Sequence, residues 1–128
     1  VPGGGLALIR VAAGLAREEA DWSGDERTGI QILRRALEVP ARRIAENSAV
    51  DGGVVVDRMR NSTGNVGFDA AANAYVDLIE AGIIDPAKVM RIAVENAVSV
   101  ASVLLLTEAT MTEIPEPEVR AGPMADSL

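Results

Sequence analysis

The sequence predicts a mainly α-helical bundle with a small β-hairpin and a C-terminal edge strand. Apolar residues recur at intervals of three and four through most of the 128 residues, which is typical of helices that bury one face. The aromatic residues are only Trp22, Phe68 and Tyr75, so the core must consist of Ala, Val, Leu and Ile, whose small volumes favour close helix packing. The length suits one domain.

Four helical segments are predicted in the first half. A run of three glycines leads into the first helix, Asp25 or Glu26 begins the second, and Pro40 ends it because proline lacks a backbone donor. The third restarts at Pro40 itself, and Asp51 precedes the fourth. Their predicted spans are Leu6 to Ala16, Glu26 to Val39, Pro40 to Glu46 and Val54 to Arg60.

A turn cluster at 61–65 separates these helices from two short segments, Val66 to Phe68 and Ala74 to Val76, which are predicted to pair as a hairpin. The longest helix is expected to begin at Pro86 and to face a core with one broad apolar stripe. Ala109 to Ile114 alternates as a half-buried strand does, and residues 119–128 resemble a disordered tail.

Composition excludes several functions. The net charge of −7 argues against binding nucleic acid, whose phosphates need a basic protein face. The absence of Cys and His removes disulfides, thiolate nucleophiles and zinc sites of the Cys/His type. The most apolar run, Ala97 to Leu106, is shorter than the roughly twenty residues of a membrane span, so we expect a soluble, cytoplasmic protein with no membrane partner.

The best candidate for a binding site is the stretch between Gly67 and Pro86. Ala70 and Ala71 have almost no side chain, so a flat ring could lie on the main chain, while Asp69 and Asp85 could accept hydrogen bonds from an amine or from ribose hydroxyls. The alternative is structural: Asp85 caps a helix that Pro86 begins, and Gly67 to Asp69 forms a hairpin corner.

Three further features allow a functional and a structural interpretation. Gly3 to Gly5 precede a helix and could leave its N–H groups open to an anion, or could be a flexible linker. The pairs Arg34-Arg35 and Arg42-Arg43 indicate either a solvated face or an interface to acidic partners. The carboxylates between Glu18 and Glu26 are most simply a solvated loop rather than an acid–base centre.

Several of these motifs occur together in one family. They include Gly-Gly-Gly-Leu-Ala-Leu-Ile-Arg at 3–10, Gly-Asn-Val-Gly-Phe-Asp-Ala at 64–70 and Gly-Ile-Ile-Asp-Pro-Ala-Lys-Val at 82–89. In these motifs the chain resembles the group I chaperonins, the double-ring ATP-driven folding machines of bacteria and organelles. The resemblance implies that residues 1–118 are the C-terminal half of the family's equatorial domain. The phosphate loop, the metal-binding aspartate, the hinge domain and the apical domain of the family have no counterpart here.

Carried over residue by residue, the resemblance implies a site for the adenine and ribose of ATP or ADP. Its members would be Gly4, Gly5, Asp69, Ala70, Ala71, Ile83 and Asp85. It implies no catalytic residue and no metal ligand in this chain, since the Mg²⁺ ligands of the family lie in the missing half. Asp69 replaces the Asn of many members, and a carboxylate can only accept hydrogen bonds whereas an amide also donates.

The resemblance also implies partners. Subunits of the family form a homo-oligomeric ring. The segment Ala109 to Ile114 would add a strand to a sheet of the neighbouring subunit. Co-chaperonin and unfolded proteins bind to the family through the missing domains. The expected compartment is the cytoplasm or an organellar matrix. An alternative is a non-enzymatic helical module that docks on other chaperonin subunits through this strand and the Arg34-Arg35 face.

Overall fold

The computed structural model describes residues 1–108, 111 and 112. The chain divides into two compact units, Val1–Ala93 and Val94–Leu128. Its elements are three helices, a two-stranded antiparallel sheet and a final long helix, with a short 3-10 helix at Glu19–Asp21 after the first helix. In chain order they are α1 (Leu6–Glu18), α2 (Gly24–Asn47), α3 (Gly52–Asn61), β1 (Val66–Asp69), β2 (Ala74–Asp77) and α4 (Ala87–Leu106). The predicted mainly helical class with a hairpin is confirmed.

The core of the first unit lies where α1, α2, α3 and the hairpin meet. Its members are aliphatic apart from Phe68, as the composition requires, and they are almost fully buried. These residues are Leu6, Ile9, Ala41, Ala45, Val55, Val56, Met59, Phe68 and Leu78. The two alanines on α2 and the two valines on α3 keep the helix axes close, because small side chains allow backbones to approach.

The prediction that Pro40 separates two helices is wrong, because α2 runs without a break from Gly24 to Asn47. A proline inside a helix loses one hydrogen bond and crowds the preceding turn, at a cost of roughly 3 kcal/mol. Leu37 and Ala41 flank Pro40 and are both buried. Burial of that face in the core offsets the cost, so the helix continues.

Two polar contacts fix the ends of α3. Asp51 caps its beginning, because its Oδ1 accepts hydrogen bonds from the N–H groups of Gly53 (2.8 Å) and Val54 (3.1 Å). At the other end the guanidinium of Arg10 on α1 donates to the carbonyl of Met59 (3.2 Å), to Ser62 Oγ (3.0 Å) and to the Gly64 carbonyl (3.1 Å). Arg10 therefore ties α1 to the end of α3 and to the loop before β1.

Helix α4 differs from its prediction, because none of its residues is buried although the sequence predicts a stripe that faces a core. Val100, Val103, Leu105 and Leu106 are all more than half exposed. By length and composition alone, this 20-residue helix, which has a mean hydropathy of 1.7 over its most apolar 18-residue window, could also cross a membrane, contrary to the expectation from the sequence. The apolar surface of α4 thus lacks a cover among the described residues.

The predicted edge strand Ala109 to Ile114 and the predicted tail 119–128 lie outside the described residues, apart from Met111 and Thr112.

Candidate functional site

The glycine turn before α1 lies against the segment that carries Ile83 and Asp85. The Gly3 N–H donates to the Ile83 carbonyl at 2.9 Å, and Pro2 and Ile84 form an antiparallel bridge. The Asp85 N–H donates to the Val1 carbonyl at 3.0 Å, and the Val1 amino group donates to the Asp85 carbonyl at 3.1 Å. Backbone pairing therefore joins two segments that are about eighty residues apart in the sequence.

The hairpin meets the same glycine turn from the other side. A Cβ atom built on Gly4 would lie 3.4 Å from the Phe68 carbonyl oxygen and 3.5 Å from Leu78 Cδ1. Phe68 is the residue before Asp69, and Ala70 is partly buried against the core cluster, as is Ile83. The structure consequently brings Gly4, Ile83 and the hairpin turn to one region of the first unit.

Gly5 and Gly3 have packing roles that the sequence alone did not predict. Gly5 has φ +78°, and a Cβ atom there would lie 2.7 Å from the Ala41 nitrogen and 2.8 Å from its Cβ. A Cβ atom on Gly3 would lie 3.1 Å from Ile83 Cγ2. The space beside the Gly5 Cα is therefore filled by α2, and the bare glycines are not a flexible linker.

Two backbone donors of this turn, on Gly4 and Gly5, have no partner among the described residues. Gly5 caps α1 without a side-chain hydrogen bond. The positive end of a helix dipole and free N–H groups favour an acceptor or an anion. Asp85 is partly exposed, and its carboxylate has no hydrogen-bond partner among the described residues.

Asp69 and Ala71 have a structural role at the hairpin turn. Asp69 Oδ1 accepts hydrogen bonds from the N–H groups of Ala71 (3.0 Å) and Ala72 (3.2 Å), and this capping holds the turn between β1 and β2. The Ala71 N–H is therefore not available to a flat ring. What the turn can offer is Asp69 Oδ2, the carbonyl groups and the small surface of Ala70.

A second group of polar residues converges elsewhere in the first unit, and only part of it is evident from the sequence. A cleft of about 470 Å³ is lined by charged and amide side chains from the 3-10 helix, α2 and α3, namely Glu19, Gln31, Arg34, Arg35, Glu38 and Arg60. The Arg34-Arg35 pair pointed to this face, but the contributions of Glu19 and Arg60 depend on tertiary packing.

Glu19 is not part of a solvated loop, as the charge pattern predicted, because its side chain is only 11% exposed. Its carboxylate accepts hydrogen bonds from Gln31 Nε2 (2.7 Å), Arg27 Nε (3.3 Å) and Arg34 Nη1. The hydrogen bond from Gln31 and the two guanidinium groups hold the pKa of Glu19 below its ordinary value, and partial burial opposes them.

No group of three or more Asp or Glu side chains within residues 1–108, 111 and 112 could hold a metal ion. Glu19 and Glu38 are each already bonded to an arginine.

Comparison with known proteins decides the family. Residues 1–115 match the sequence pattern of the TCP-1/cpn60 chaperonin family. The chain belongs to this chaperonin family. It is 70% identical over 126 residues to chaperonin GroEL 5 of Bradyrhizobium diazoefficiens, and the match covers 98% of this chain but 23% of that relative. The resemblance to group I chaperonins is thereby confirmed, and the chain spans about a quarter of the length of this relative.

The fold of this chaperonin chain is also found in a solved structure. The open-state monomer of a group II chaperonin from Methanococcoides burtonii superposes with a TM-score of 0.78 over 84% of this chain and 28% of that one. The two are 23% identical, so this likeness establishes the fold alone.

Proposed function

We propose that this chain is the adenine- and ribose-binding part of a chaperonin ATP-binding domain, and that residues 1–118 are the C-terminal half of that domain. The observation that carries the proposal is the meeting of the Gly3–Gly5 turn with the 83–85 segment. Unpaired backbone donors at Gly4 and Gly5 stand in the same region as the unbonded Asp85 carboxylate. Donors and acceptors beside small apolar surfaces suit a nucleoside.

Each residue has a definite role in this proposal. Asp85 accepts hydrogen bonds from the ribose hydroxyls, and Ile83, which is partly buried, packs against the base. Ala70 and Ala71 provide a flat surface along the adenine. Asp69 holds the turn with Oδ1 and leaves Oδ2 to accept from the exocyclic amine, a contact that uses only the acceptor capacity of a carboxylate.

We further propose that this chain binds ATP or ADP as part of a longer protein and does not hydrolyse ATP by itself. Phosphoryl transfer needs a phosphate cradle, a carboxylate for Mg²⁺ and a group that positions water. The residues described here offer an adenosine site without such a set. The phosphates and Mg²⁺ would be held by segments outside this chain.

The test is a calorimetric titration of the purified chain with adenosine and with ADP. Asp85→Ala removes one or two hydrogen bonds to a charged acceptor, so the dissociation constant should rise roughly tenfold or more. Glu80→Ala is the matched control, because it removes the same charge from an exposed residue that lies five positions before Asp85 in the sequence. Equal affinity of both variants for the nucleotide, or no binding by the folded chain, would contradict the site.

A Mg²⁺-dependent ATPase rate that disappears in Asp85→Ala would contradict the proposal that this chain does not hydrolyse ATP by itself.

The uncovered surface of α4 supports a role in contacts between subunits of a cytoplasmic or organellar chaperonin ring. A helix that buries none of its apolar residues needs a cover. Lys88, Arg91 and Glu95 lie within α4, and charged side chains are rare and costly inside a bilayer even when they are paired, so protein is the better cover. In the longer protein, the predicted strand Ala109 to Ile114 would pair with a neighbouring subunit. Co-chaperonin and unfolded proteins would bind through other domains.

The alternative function is a non-enzymatic helical module that docks on chaperonin subunits, and the same α4 surface favours it. It predicts a shift in elution volume when the chain is mixed with a full-length chaperonin, and no adenosine binding. Leu104→Gln should abolish that shift, whereas Ile32→Gln, an equally exposed apolar residue on α2, should not. Adenosine binding without a shift rejects the alternative.

A further inference from the structure

The cleft lined by Glu19, Gln31, Arg34, Arg35, Glu38 and Arg60 has donors that no residue of the described chain uses. Arg34 Nε is buried and has no hydrogen-bond partner, although Arg34 Nη1 binds Glu19. An unsatisfied buried donor costs about 1–3 kcal/mol, more when it is charged. The Arg34 side chain as a whole is 36% exposed, so its guanidinium group reaches the cleft with hydrogen-bonding capacity that Glu19 does not use.

A second guanidinium in the cleft is also unengaged. Arg35 is exposed and forms no hydrogen bond or ion pair with any described residue. By contrast, Arg60 Nη2 already binds Glu38 Oε1 at 2.5 Å. Glu19 already accepts from three donors. Arg34 and Arg35 thus supply the free donors, and the two carboxylates of the wall are occupied.

The charge of the wall selects the ligand. Three guanidinium groups and two carboxylates leave one net positive charge. A carboxylate carries one negative charge and two coplanar oxygens that match the fork of a guanidinium. A phosphate dianion would place its second charge beside Glu19 and Glu38, where like charges repel.

From these contacts we infer that the cleft is a docking site for a carboxylate side chain of an acidic polypeptide segment. Its volume of about 470 Å³ exceeds what one carboxylate fills, and its wall is shared by the 3-10 helix, α2 and α3, so a stretch of chain around the acidic residue can be seated there. Arg35 binds the carboxylate at the rim, and the exposed part of the Arg34 guanidinium, which is bonded to Glu19 only through Nη1, donates to it from the wall. This site is distinct from the proposed adenosine site and does not depend on it.

The experiment measures the fluorescence anisotropy of a labelled hexaglutamate peptide titrated with the purified chain at low ionic strength. Arg35→Gln should weaken binding roughly fivefold or more, since it removes a charge-assisted contact and disturbs no internal one. Arg17→Gln makes the same charge change on an exposed residue of α1 outside the cleft, and should alter the affinity less than about twofold.

A variant that makes the cleft more positive, rather than less, separates docking in the cleft from a general effect of protein charge. Glu38→Gln removes a carboxylate from the wall and releases Arg60, so the peptide should bind more tightly. Acetate should displace the peptide more effectively than phosphate. Equal losses in Arg35→Gln and Arg17→Gln, absence of peptide binding, or stronger displacement by phosphate would each overturn the inference. Circular dichroism of every variant confirms that the fold is retained.

Discussion

Replacement of Gly5 by alanine tests the junction between the glycine turn and α2. Two separate effects act at this position. The backbone has φ +78°, a left-handed conformation that costs a residue with a Cβ atom about 1 kcal/mol or more. The new Cβ atom would also lie 2.7 Å from the Ala41 nitrogen and 2.9 Å from its Cα, and a clash with a helix backbone costs roughly 1–3 kcal/mol. We expect Gly5→Ala to lower the free energy of unfolding by about 3 kcal/mol in all.

Two other glycines isolate these contributions. Gly82 has φ +76° but open space around its missing side chain, so Gly82→Ala should cost about 1 kcal/mol through the backbone alone. Gly14 lies inside α1 with nothing within 4 Å, and Gly14→Ala should stabilise the chain by about 0.5–1 kcal/mol because alanine is the better helix former.

Urea denaturation followed by circular dichroism gives the three values, provided that the slope of the transition is unchanged. From most to least stable, the expected order is Gly14→Ala, the unmodified chain, Gly82→Ala and Gly5→Ala. If Gly5→Ala were no less stable than Gly82→Ala, the close contact with Ala41 would carry no energy, and the packing role assigned to Gly5 would be refuted.

Three further substitutions test polar contacts in the first unit. Glu19→Gln should destabilise the chain at neutral pH. Because the fold lowers the pKa of the Glu19 carboxyl, the stability that its ionised form contributes is complete above the ordinary pKa of 4.5 and disappears as the pH falls through the lowered pKa. The difference in unfolding free energy between the unmodified chain and Glu19→Gln should therefore vanish in acid. Arg10→Met removes three hydrogen bonds and should cost about 2 kcal/mol in urea denaturation. Asp51→Ala removes the cap of α3 and should cost about 1 kcal/mol in the same assay.

Conservative changes serve as their controls. Asp51→Asn keeps a capping oxygen and should be nearly neutral. Arg10→Lys keeps the charge but not the planar fork, so it should recover only part of the loss. A difference for Glu19→Gln that stays constant from neutral to acid pH would show that the ion pairs are not its cause.

Much of the helical fold follows from local patterns. The periodicity of α1, the Asp51 cap and the turn signals around the hairpin are all local, and the structure confirms each of them. Pro40 was misjudged because the cost of a proline in a helix is local, whereas the burial of Leu37 and Ala41 that offsets it depends on tertiary packing. The burial of Glu19 was missed for the same reason, since Gln31 and Arg34 reach it only after α2 folds back.

The candidate site stays a prediction, and only part of its arrangement follows from the sequence. The sequence placed small residues and carboxylates at 69–71 and 83–85, and the structure brings the second of these segments to the glycine turn. It could not indicate that Asp69 Oδ1 bonds its own turn, because Asx capping depends on the conformation of the residues that follow. Nor could it indicate that Ala41 fills the space beside Gly5.

The pairing of residues 1–3 with 83–85 has a consequence for mutagenesis. The atoms that hold Asp85 beside the N-terminal segment belong to the main chain, and the side chains of Val1 and Ile84 are exposed. Random libraries should therefore tolerate most substitutions at positions 1 and 84. Proline at position 85 would delete the N–H that donates to the Val1 carbonyl, so this substitution should weaken the pairing. Tolerance of side-chain substitutions at positions 1 and 84 therefore does not mean that the backbone pairing at these positions is dispensable.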